Sequence, residues 1–554
     1  MLATSLALSP RRSADTPPML FNSAEFLFIF LPFVVLFFYV LSRRSVQLAL
    51  GFLTVASLVF YAWWRPANIL IIAPSILLNY GLSQVIIARR ETVPRQASLA
   101  FWIGIAFNIL YLFYFKYTNF LEQVVRDVVG FDYMLDRVVL PLGLSFITFQ
   151  KIALLIDVRA GRIARVTLRD YITFVLFFPP LISGPIVHYR ELMPQFHGLD
   201  GRLRWSDIGL GLTLFSAGLA KKLVIADPLA VLIAPYWQDA TSGGHPALLQ
   251  CWAAALGYMM QLYFDFSGYS DMAIGLARLF GIKLPPNFDA PLKAGSLIEY
   301  WSRWHMTLTR FLTAYVFSPV VLKRTRYRLS RRRPVLAGRR TTRGAFIGLI
   351  AVPTVQTMFV SGVWHGAGYQ FILFGLLHGA GLIVNHAWRL WRPTWWPRKG
   401  GFGRLALLGS WALTTLFVVL VEVFFRAPDT ATAFRVLAGM GGSSGVSLPS
   451  AIVTHLGPSL TYLGVRAVPV FESGRDFVIT WLSIAIAWCI VLAMPTIYEL
   501  TAAFDPALGW KPRPGQRFVA AFHPNVGWAL ALSLATTAGL LSLGQVSEFL
   551  YWQF

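Results

Sequence analysis

The chain has 554 residues and is 56% hydrophobic but only 13% charged, with 19 Trp and 44 Phe, which excludes an ordinary soluble domain. Its net charge of +23 comes from 48 Lys and Arg against 25 Asp and Glu. Basic loops on an anionic cytoplasmic leaflet explain that charge better than nucleic acid does, so we expect no nucleic-acid partner. The composition predicts an all-α polytopic membrane protein. Cys251 and Cys489 lie in apolar runs without metal or redox spacing, which predicts buried packing residues.

Apolar runs close to the ~20 residues that a bilayer core requires predict membrane-spanning helices. They occupy residues 26–41, 48–64, 69–87, 100–120, 210–232, 252–266, 405–424, 477–494 and 528–543. When the weaker apolar segments are counted as well, we predict roughly 11–13 membrane helices plus re-entrant and interfacial helices. Residues 1–18 are predicted to be a disordered or non-native leader, with Met19 as the true start and one transmembrane domain from 19 to 554. Lys116 is close enough to the end of its span for its ammonium group to snorkel.

Residues 177–196 read FFPPLISGPIVHYRELMPQF, and Pro179 and Pro180 forbid a straight helix through this stretch. We expect a re-entrant or loop element here.

Two acids, Asp265 and Asp271, follow in an apolar and aromatic run. Acids at membrane depth are functional-site candidates by default. The alternative is that they cap helix ends or pair with an arginine such as Arg278.

Residues 299–315 begin with EYWSRWH and have helical periodicity, with Trp304 and His305 on one face and Arg303 on the other. This pattern predicts a helix in the membrane interface. A lone histidine such as His305 is more often a packing residue than a catalyst.

The loop at 323–343 carries ten Lys and Arg and no acid, which places it in the cytoplasm by the positive-inside rule. At ~1.5 Å per residue, a helix from Arg343 to His365 spans about the thickness of the hydrocarbon core. His365 lies in the Gly-rich sequence SGVWHGAG, which is expected to break the helix and expose backbone amides to a cavity. The following segments predict a short amphipathic helix at 430–440 and a non-cytoplasmic loop at 441–476. His378 and His386 are interpreted as packing or interface residues.

Several long motifs occur in order along the chain from Met19 to Phe554. They are MLFNSAEFLFIFLP, PLGLSFITFQ, FPPLISGPIVHYRELMPQF, YFDFSGYSDMAIGLARLFGIKLPPNFDAP, EYWSRWHMTLT, SGVWHGAGYQFILFGLLHG and FLYWQF. With them the chain resembles the membrane-bound O-acyltransferase family, in particular its bacterial alginate O-acetylation branch. The helix after His305 has the sequence TLTRFLTAYVF, which departs from the family pattern.

The resemblance implies that His365 is the essential membrane histidine and acts as general base, and that His305 is the second recurrent histidine and orients donor or base. Trp364 or backbone amides of the Gly-rich turn would stabilise the oxyanion. We further predict substrate or tunnel contacts for six residues around a central tunnel, namely Trp364, Trp304, Asp265, Asp271, Asn287 and Arg303. No metal site and no permanently bound cofactor are expected.

The implied reaction moves an acetyl or other acyl group from cytoplasmic acetyl-CoA, or an acyl-carrier thioester, to hydroxyls of an exported polysaccharide through periplasmic acetyltransferase partners. The implied location is the inner membrane. One alternative is the same fold with another acceptor: D-alanyl transfer to teichoic acid, or acylation of peptidoglycan or lipid. A second alternative is a polysaccharide or acyl permease whose His305 and His365 only line a channel.

Overall fold

The computed structural model describes residues 19–130, 138–393, 400–449, 453, 465–468, 474–513, 522 and 525–543. The predicted leader at 1–18 and the end of the chain lie outside these ranges. Backbone contacts divide the chain into two compact units: residues 1–109, 140–182 and 189–203 form the first, and 110–139, 183–188 and 204–554 form the second. Each unit is described by itself. The predicted single domain stays a prediction.

The first unit consists of helices joined by short turns. They are α1 (Leu31–Ser42, preceded by a π-helical turn at Phe26–Phe30), α2 (Val46–Ala62), α3 (Asn68–Arg89), the start of α4 (Pro94–Val129), α5 (Leu144–Arg159), α6 (Leu168–Leu176), α7 (Phe178–Leu181) and α8 (Tyr189–His197). All three segments predicted at 26–41, 48–64 and 69–87 are helical, and Asn68–Arg89 is long and apolar enough to cross a membrane, whereas Phe26–Ser42 and Val46–Ala62 are shorter apolar helices. At 36 residues, α4 is longer than the predicted span at 100–120.

The chain bends sharply after α6, as the prolines predict. Helix α6 ends at Leu176, and α7, which contains Pro179 and Pro180, is only four residues long. Gly143, which precedes α5, has φ 68°, and a Cβ there would lie 2.7 Å from the carbonyl oxygen of Leu181. Only glycine fits this left-handed position against the turn.

The second unit contains the longer helices. They are α9 (Trp205–Ala220), α10 (Asp227–Thr241), α11 (Leu248–Leu279), α12 (Leu297–Trp301), α13 (Met306–Leu312), α14 (Ser318–Ser330), α15 (Arg343–Phe346), α16 (Val352–His365), α17 (Tyr369–Trp391), α18 (Gly400–Arg426), α19 (Thr430–Met440), α20 (Gly474–Ala493), α21 (Ile497–Leu500) and α22 (Val526–Leu541). Three π-helical turns, Lys221–Ala226, Thr313–Phe317 and Ile347–Ala351, continue the neighbouring helices. Helix α19 confirms the short helix predicted at 430–440. Strands β1 (Val446–Pro449) and β2 (Val465–Val468) pair in parallel within the predicted loop at 441–476, much of which lies outside the described residues.

The described residues include six helices that are long and apolar enough to cross a membrane. Their bounds are Asn68–Arg89, Pro94–Val129, Arg343–His365, Tyr369–Trp391, Gly403–Arg426 and Gly474–Ala493. Leu70 and Leu413 leave 78% and 69% of their surface exposed, as side chains that face lipid do. The chain is therefore an all-α multi-pass membrane protein; its helix count and tunnel stay predictions. Cys251 is buried as predicted, whereas the prediction for Cys489 is wrong, because it lies on the exposed side of α20.

Helices α9 and α11 pack with their backbones in direct contact. A Cβ at Gly218 would lie 2.4 Å from the carbonyl oxygen of Gly268, and one at Gly275 would lie 2.5 Å from that of Gly211. Small residues at such spacing let membrane helices approach closely. This contact places the π-helical turn after α9 beside the middle of α11.

Two lysines of that turn neutralise the acids of α11. Lys222 Nζ lies 2.6 Å from Asp265 Oδ1 and 3.1 Å from Asp227 Oδ1, and Lys221 Nζ lies 2.6 Å from Asp271 Oδ2. The predicted arginine partner is wrong, because Arg278 pairs with Asp207 instead. Capping is wrong as well, since both acids lie inside the 32-residue α11.

We expect Lys222→Met to destabilise the protein by about 3–5 kcal/mol, because it leaves Asp265 and Asp227 buried without their cation. Thermal unfolding in detergent measures this loss, with exposed Lys323→Met as the matched control. A second replacement, Asp265→Leu, should recover part of the stability. Equal unfolding temperatures for Lys222→Met and Lys323→Met would contradict the ion-pair account.

Candidate active site

His305 lies at a sharp turn rather than inside a helix, so the predicted continuous interfacial helix is wrong. Helix α12 ends at Trp301 and α13 begins at Met306, and His305 between them has φ 43°. A non-glycine residue in this left-handed region costs of order 1 kcal/mol and is held there by its surroundings. The turn buries the His305 side chain completely.

An amide side chain fixes the orientation of the His305 ring. Asn287 Oδ1 lies 3.1 Å from His305 Nδ1 and accepts a hydrogen bond of 2.7 Å from the Thr307 hydroxyl. The backbone N–H of Thr307 also donates to Asn287 Oδ1 at 3.4 Å, and this contact assigns the amide orientation, because an N–H can only donate. The Asn287 Nδ2 amide donates to Ser270 Oγ at 3.3 Å. His305 Nδ1 must therefore carry the proton. Its Nε2 is then left as an acceptor in the neutral ring.

The neutral ring is the form that this environment favours. His305 lies outside the six spanning helices, and burial lowers its pKa below the ordinary value for histidine. A neutral imidazole with its proton on Nδ1 presents Nε2 as a hydrogen-bond acceptor.

His365 is the last residue of α16, which confirms the predicted helix break at SGVWHGAG. Gly366 is extended, and α17 starts three residues later at Tyr369. The imidazole is buried, and its Nδ1 has no hydrogen-bond partner among the described residues. The exposure of backbone amides to a cavity at this break stays a prediction.

Two side chains of α4 hold the carboxyl end of α16. The ammonium group of Lys116 donates to the carbonyl oxygen of Trp364, and to that of His365 at 3.0 Å. The hydroxyl of Tyr117 donates to the carbonyl oxygen of Val363 at 2.5 Å. The predicted snorkelling of Lys116 is therefore wrong. Its cation instead satisfies carbonyls that a helix end leaves unpaired.

The Trp364 ring packs close to both imidazoles. Its ring centroid is 6.2 Å from that of His305 and 4.9 Å from that of His365. Phe266 packs edge-on against His305 with centroids 4.8 Å apart, and Phe425 packs against His365 at 5.2 Å. The structure thus brings Trp364, His305, His365 and Asn287 together in one buried aromatic cluster, and their predicted roles in the reaction stay predictions.

The other four predicted site residues have different surroundings. Trp304 stacks on Tyr300 with ring centroids 5.5 Å apart, and Arg303 pairs with Glu299. Asp265 and Asp271 are held by their lysines. The predicted contacts of all four residues with substrate stay predictions.

Sequence reasoning missed two polar features near this site. His378, interpreted only as a packing or interface residue, accepts a hydrogen bond of 3.3 Å from Trp301 Nε1 and is fully buried. Glu422 in α18 is also buried. The sequence does mark Glu422 as a functional-site candidate, because a single acid inside the apolar run at 405–424 is unusual in a membrane helix.

Comparisons with known proteins match the chain to acyltransferases. A family model described as MBOAT, membrane-bound O-acyltransferase family, matches residues 116–332, which include His305 and Asn287. The chain is 36% identical over 460 residues to the peptidoglycan O-acetyltransferase of Helicobacter pylori, covering 78% of this chain and 81% of that protein. It is 34% identical over 444 residues to the probable alginate O-acetylase AlgI of Pseudomonas aeruginosa, covering 76% and 75%. It is also 31% identical over 249 residues to a teichoic acid D-alanyltransferase of Streptococcus thermophilus, covering 45% and 57%.

We expect Asn287→Ala to destabilise the protein by about 2–4 kcal/mol, because it leaves the donors of His305 and Thr307 without their buried acceptor. Chemical denaturation of the purified protein measures this change. Asn385→Ala is the matched control, since Asn385 accepts a single bond from the backbone N–H of Ile298 at a half-buried position. An Asn287 variant no less stable than the Asn385 variant would contradict the proposed network.

Proposed function

Because the chain belongs to the membrane-bound O-acyltransferase family, we propose that it moves an acetyl group from a cytoplasmic thioester such as acetyl-CoA to hydroxyls of an exported polysaccharide. It is an O-acyltransferase, which sets the permease alternative aside. The observation that carries the proposal is that the Trp364 ring packs close to two buried imidazoles, one of which has a fixed acceptor nitrogen. The inner membrane is the proposed location.

The proposed reaction transfers one proton and one acyl group. A hydroxyl oxygen of the acceptor attacks the thioester carbonyl carbon while the His365 imidazole takes its proton, a role worth about 10²- to 10⁴-fold in rate. The C–S bond then breaks, and the departing thiolate receives the proton back from His365. The products are an ester and a free thiol.

The remaining residues have supporting roles. The Nε2 atom of His305 accepts a hydrogen bond from a hydroxyl of the sugar substrate, or binds the proton that is being transferred. Asn287 keeps the ring in the tautomer that permits this. The indole N–H of Trp364 is the proposed donor to the oxyanion that forms on the carbonyl oxygen. Lys116 fixes the end of α16 and thereby positions both Trp364 and His365.

The names of the relatives support the proposed acyl acceptor. Five of them are named probable alginate O-acetylase AlgI, which supports an alginate-like exported polysaccharide. Peptidoglycan is the second candidate acceptor, because a relative with 36% identity is named for it. Transfer through periplasmic acetyltransferase partners stays part of the proposal.

We expect His365→Gln to lower the acetyl ester content of the exported polymer by at least about 100-fold without stopping its export, because the base is lost. The measurement compares cells that express parent, His365→Gln and His386→Gln at equal levels. His386→Gln is the control, since it changes another histidine of the same hairpin outside the site. If acetyl esters are lost from purified peptidoglycan instead, the acceptor is peptidoglycan and not the exported polysaccharide. Unchanged esters in both polymers would refute the assignment of His365.

Lys116→Met should slow acyl transfer by about 10- to 100-fold, because small displacements of a reacting group are costly. Lys116→Arg keeps donors for the same carbonyls and should retain more of the rate. Transfer from radiolabelled acetyl-CoA by purified protein tests both variants against Lys283→Met, which changes a surface ion pair. A Lys116→Met rate equal to that of Lys283→Met would show that the contact does not position the site.

A further inference from the structure

A groove of about 860 Å³ in the first unit lies apart in sequence from every residue of the proposed reaction. Four arginines line it, Arg162, Arg165, Arg169 and Arg190, together with a single carboxylate, that of Asp170. Its floor is built from buried side chains, among them Tyr189 and Phe196. A concavity of this size can hold a small ligand, and its charge selects an anion.

Three of the four arginines are held in place by contacts within this unit. The buried carboxylate of Asp157 binds Arg162 Nη1 at 2.9 Å and Arg190 Nε at 2.8 Å, which brings two guanidinium groups from different segments side by side. Both remain about half exposed, at 51% and 47%. Arg169 donates to the backbone carbonyl of Gln47 at 2.5 Å. Guanidinium groups held in this way are suited to phosphate oxygens.

The amino end of α6 adds a second attraction for anions. Thr167 caps this nine-residue helix by accepting from the backbone N–H of Asp170, and both residues line the groove. The helix dipole therefore directs its positive end into the groove. Asp170 itself lies 3.3 Å from the His197 imidazole.

The groove lies at the ends of membrane helices on one side of the bilayer. Helix α1 ends and α2 begins beside it, and Gln47 and Leu50 of α2 form part of its wall. After α3 returns across the membrane, Arg90 binds the carbonyl oxygens of Val158 and Ile163, and Ile163 lines the groove. The turns at this end of the helices also carry Arg43, Arg44, Arg89 and Arg95. The positive-inside rule places this end in the cytoplasm.

We propose that this groove binds the phosphate-bearing headgroup of an anionic phospholipid of the cytoplasmic leaflet. Basic pockets between helices on this side of a membrane attract such headgroups. The lipid would be a fixed part of the folded protein, with its phosphate between the four arginines and its acyl chains along the apolar helices.

Native mass spectrometry of the purified full-length protein tests the proposal with added phosphatidylglycerol or phosphatidylcholine of equal chain length. The groove variant is Arg165→Gln with Arg169→Gln, since Arg165 is exposed and makes no hydrogen bond or ion pair within the described residues. The control is Arg326→Gln with Arg333→Gln, which removes equal charge from exposed positions in the basic loop. Unfolding temperatures check that all three proteins are folded.

We expect the groove variant to bind phosphatidylglycerol about 10- to 30-fold more weakly than parent and control, with no change for phosphatidylcholine. Equal binding of phosphatidylglycerol by all three proteins would overturn the proposal. Inorganic pyrophosphate is the second probe. If it stabilises the parent but not the groove variant, while lipid binding is equal, the site takes a soluble phosphate and the lipid assignment is wrong.

Discussion

The candidate active site depends on how the carboxyl end of α16 is held. A helix that stops inside a membrane protein leaves its last carbonyls without intrahelical partners, and burying them unpaired is costly. Lys116 and Tyr117 of α4 satisfy the carbonyls of Val363, Trp364 and His365. These contacts hold the backbone that carries Trp364 and His365, and they join the candidate site to the packing of α4 against α16.

Different contacts set the orientation of the two histidine side chains. His305 has its proton fixed on Nδ1 by Asn287, so its acceptor nitrogen is defined before any substrate binds. His365 depends on the helix end and has no hydrogen-bond partner for its Nδ1 among the described residues. Burial among aromatic rings excludes water, which strengthens the electrostatic interactions inside the site. The buried acids of α11 are neutralised by their lysines, and these ion pairs hold α11 against the turn after α9.

Local chemistry explains which features could be predicted from the sequence. Spanning helices follow from runs of apolar residues, and the breaks at Pro179 and at Gly366 follow from backbone chemistry. The two histidines and Trp364 are predictable because polar groups in such runs are conspicuous and their motifs resemble a known family. The contact of Lys116 with His365 joins residues 249 positions apart, which no periodicity records. The left-handed turn at His305 and the choice of lysine rather than Arg278 for the α11 acids depend on tertiary packing.

The central claim is that His305 and His365 act on one reacting centre around Trp364. A double-mutant cycle of acetyl transfer by the purified protein, with His305→Gln, His365→Gln and the combined variant, tests it most directly. Residues that act as a unit are strongly non-additive, so we predict that the combined variant is about as slow as the slower single variant. Rate losses that multiply would contradict the claim, because they would show that the two imidazoles contribute independently.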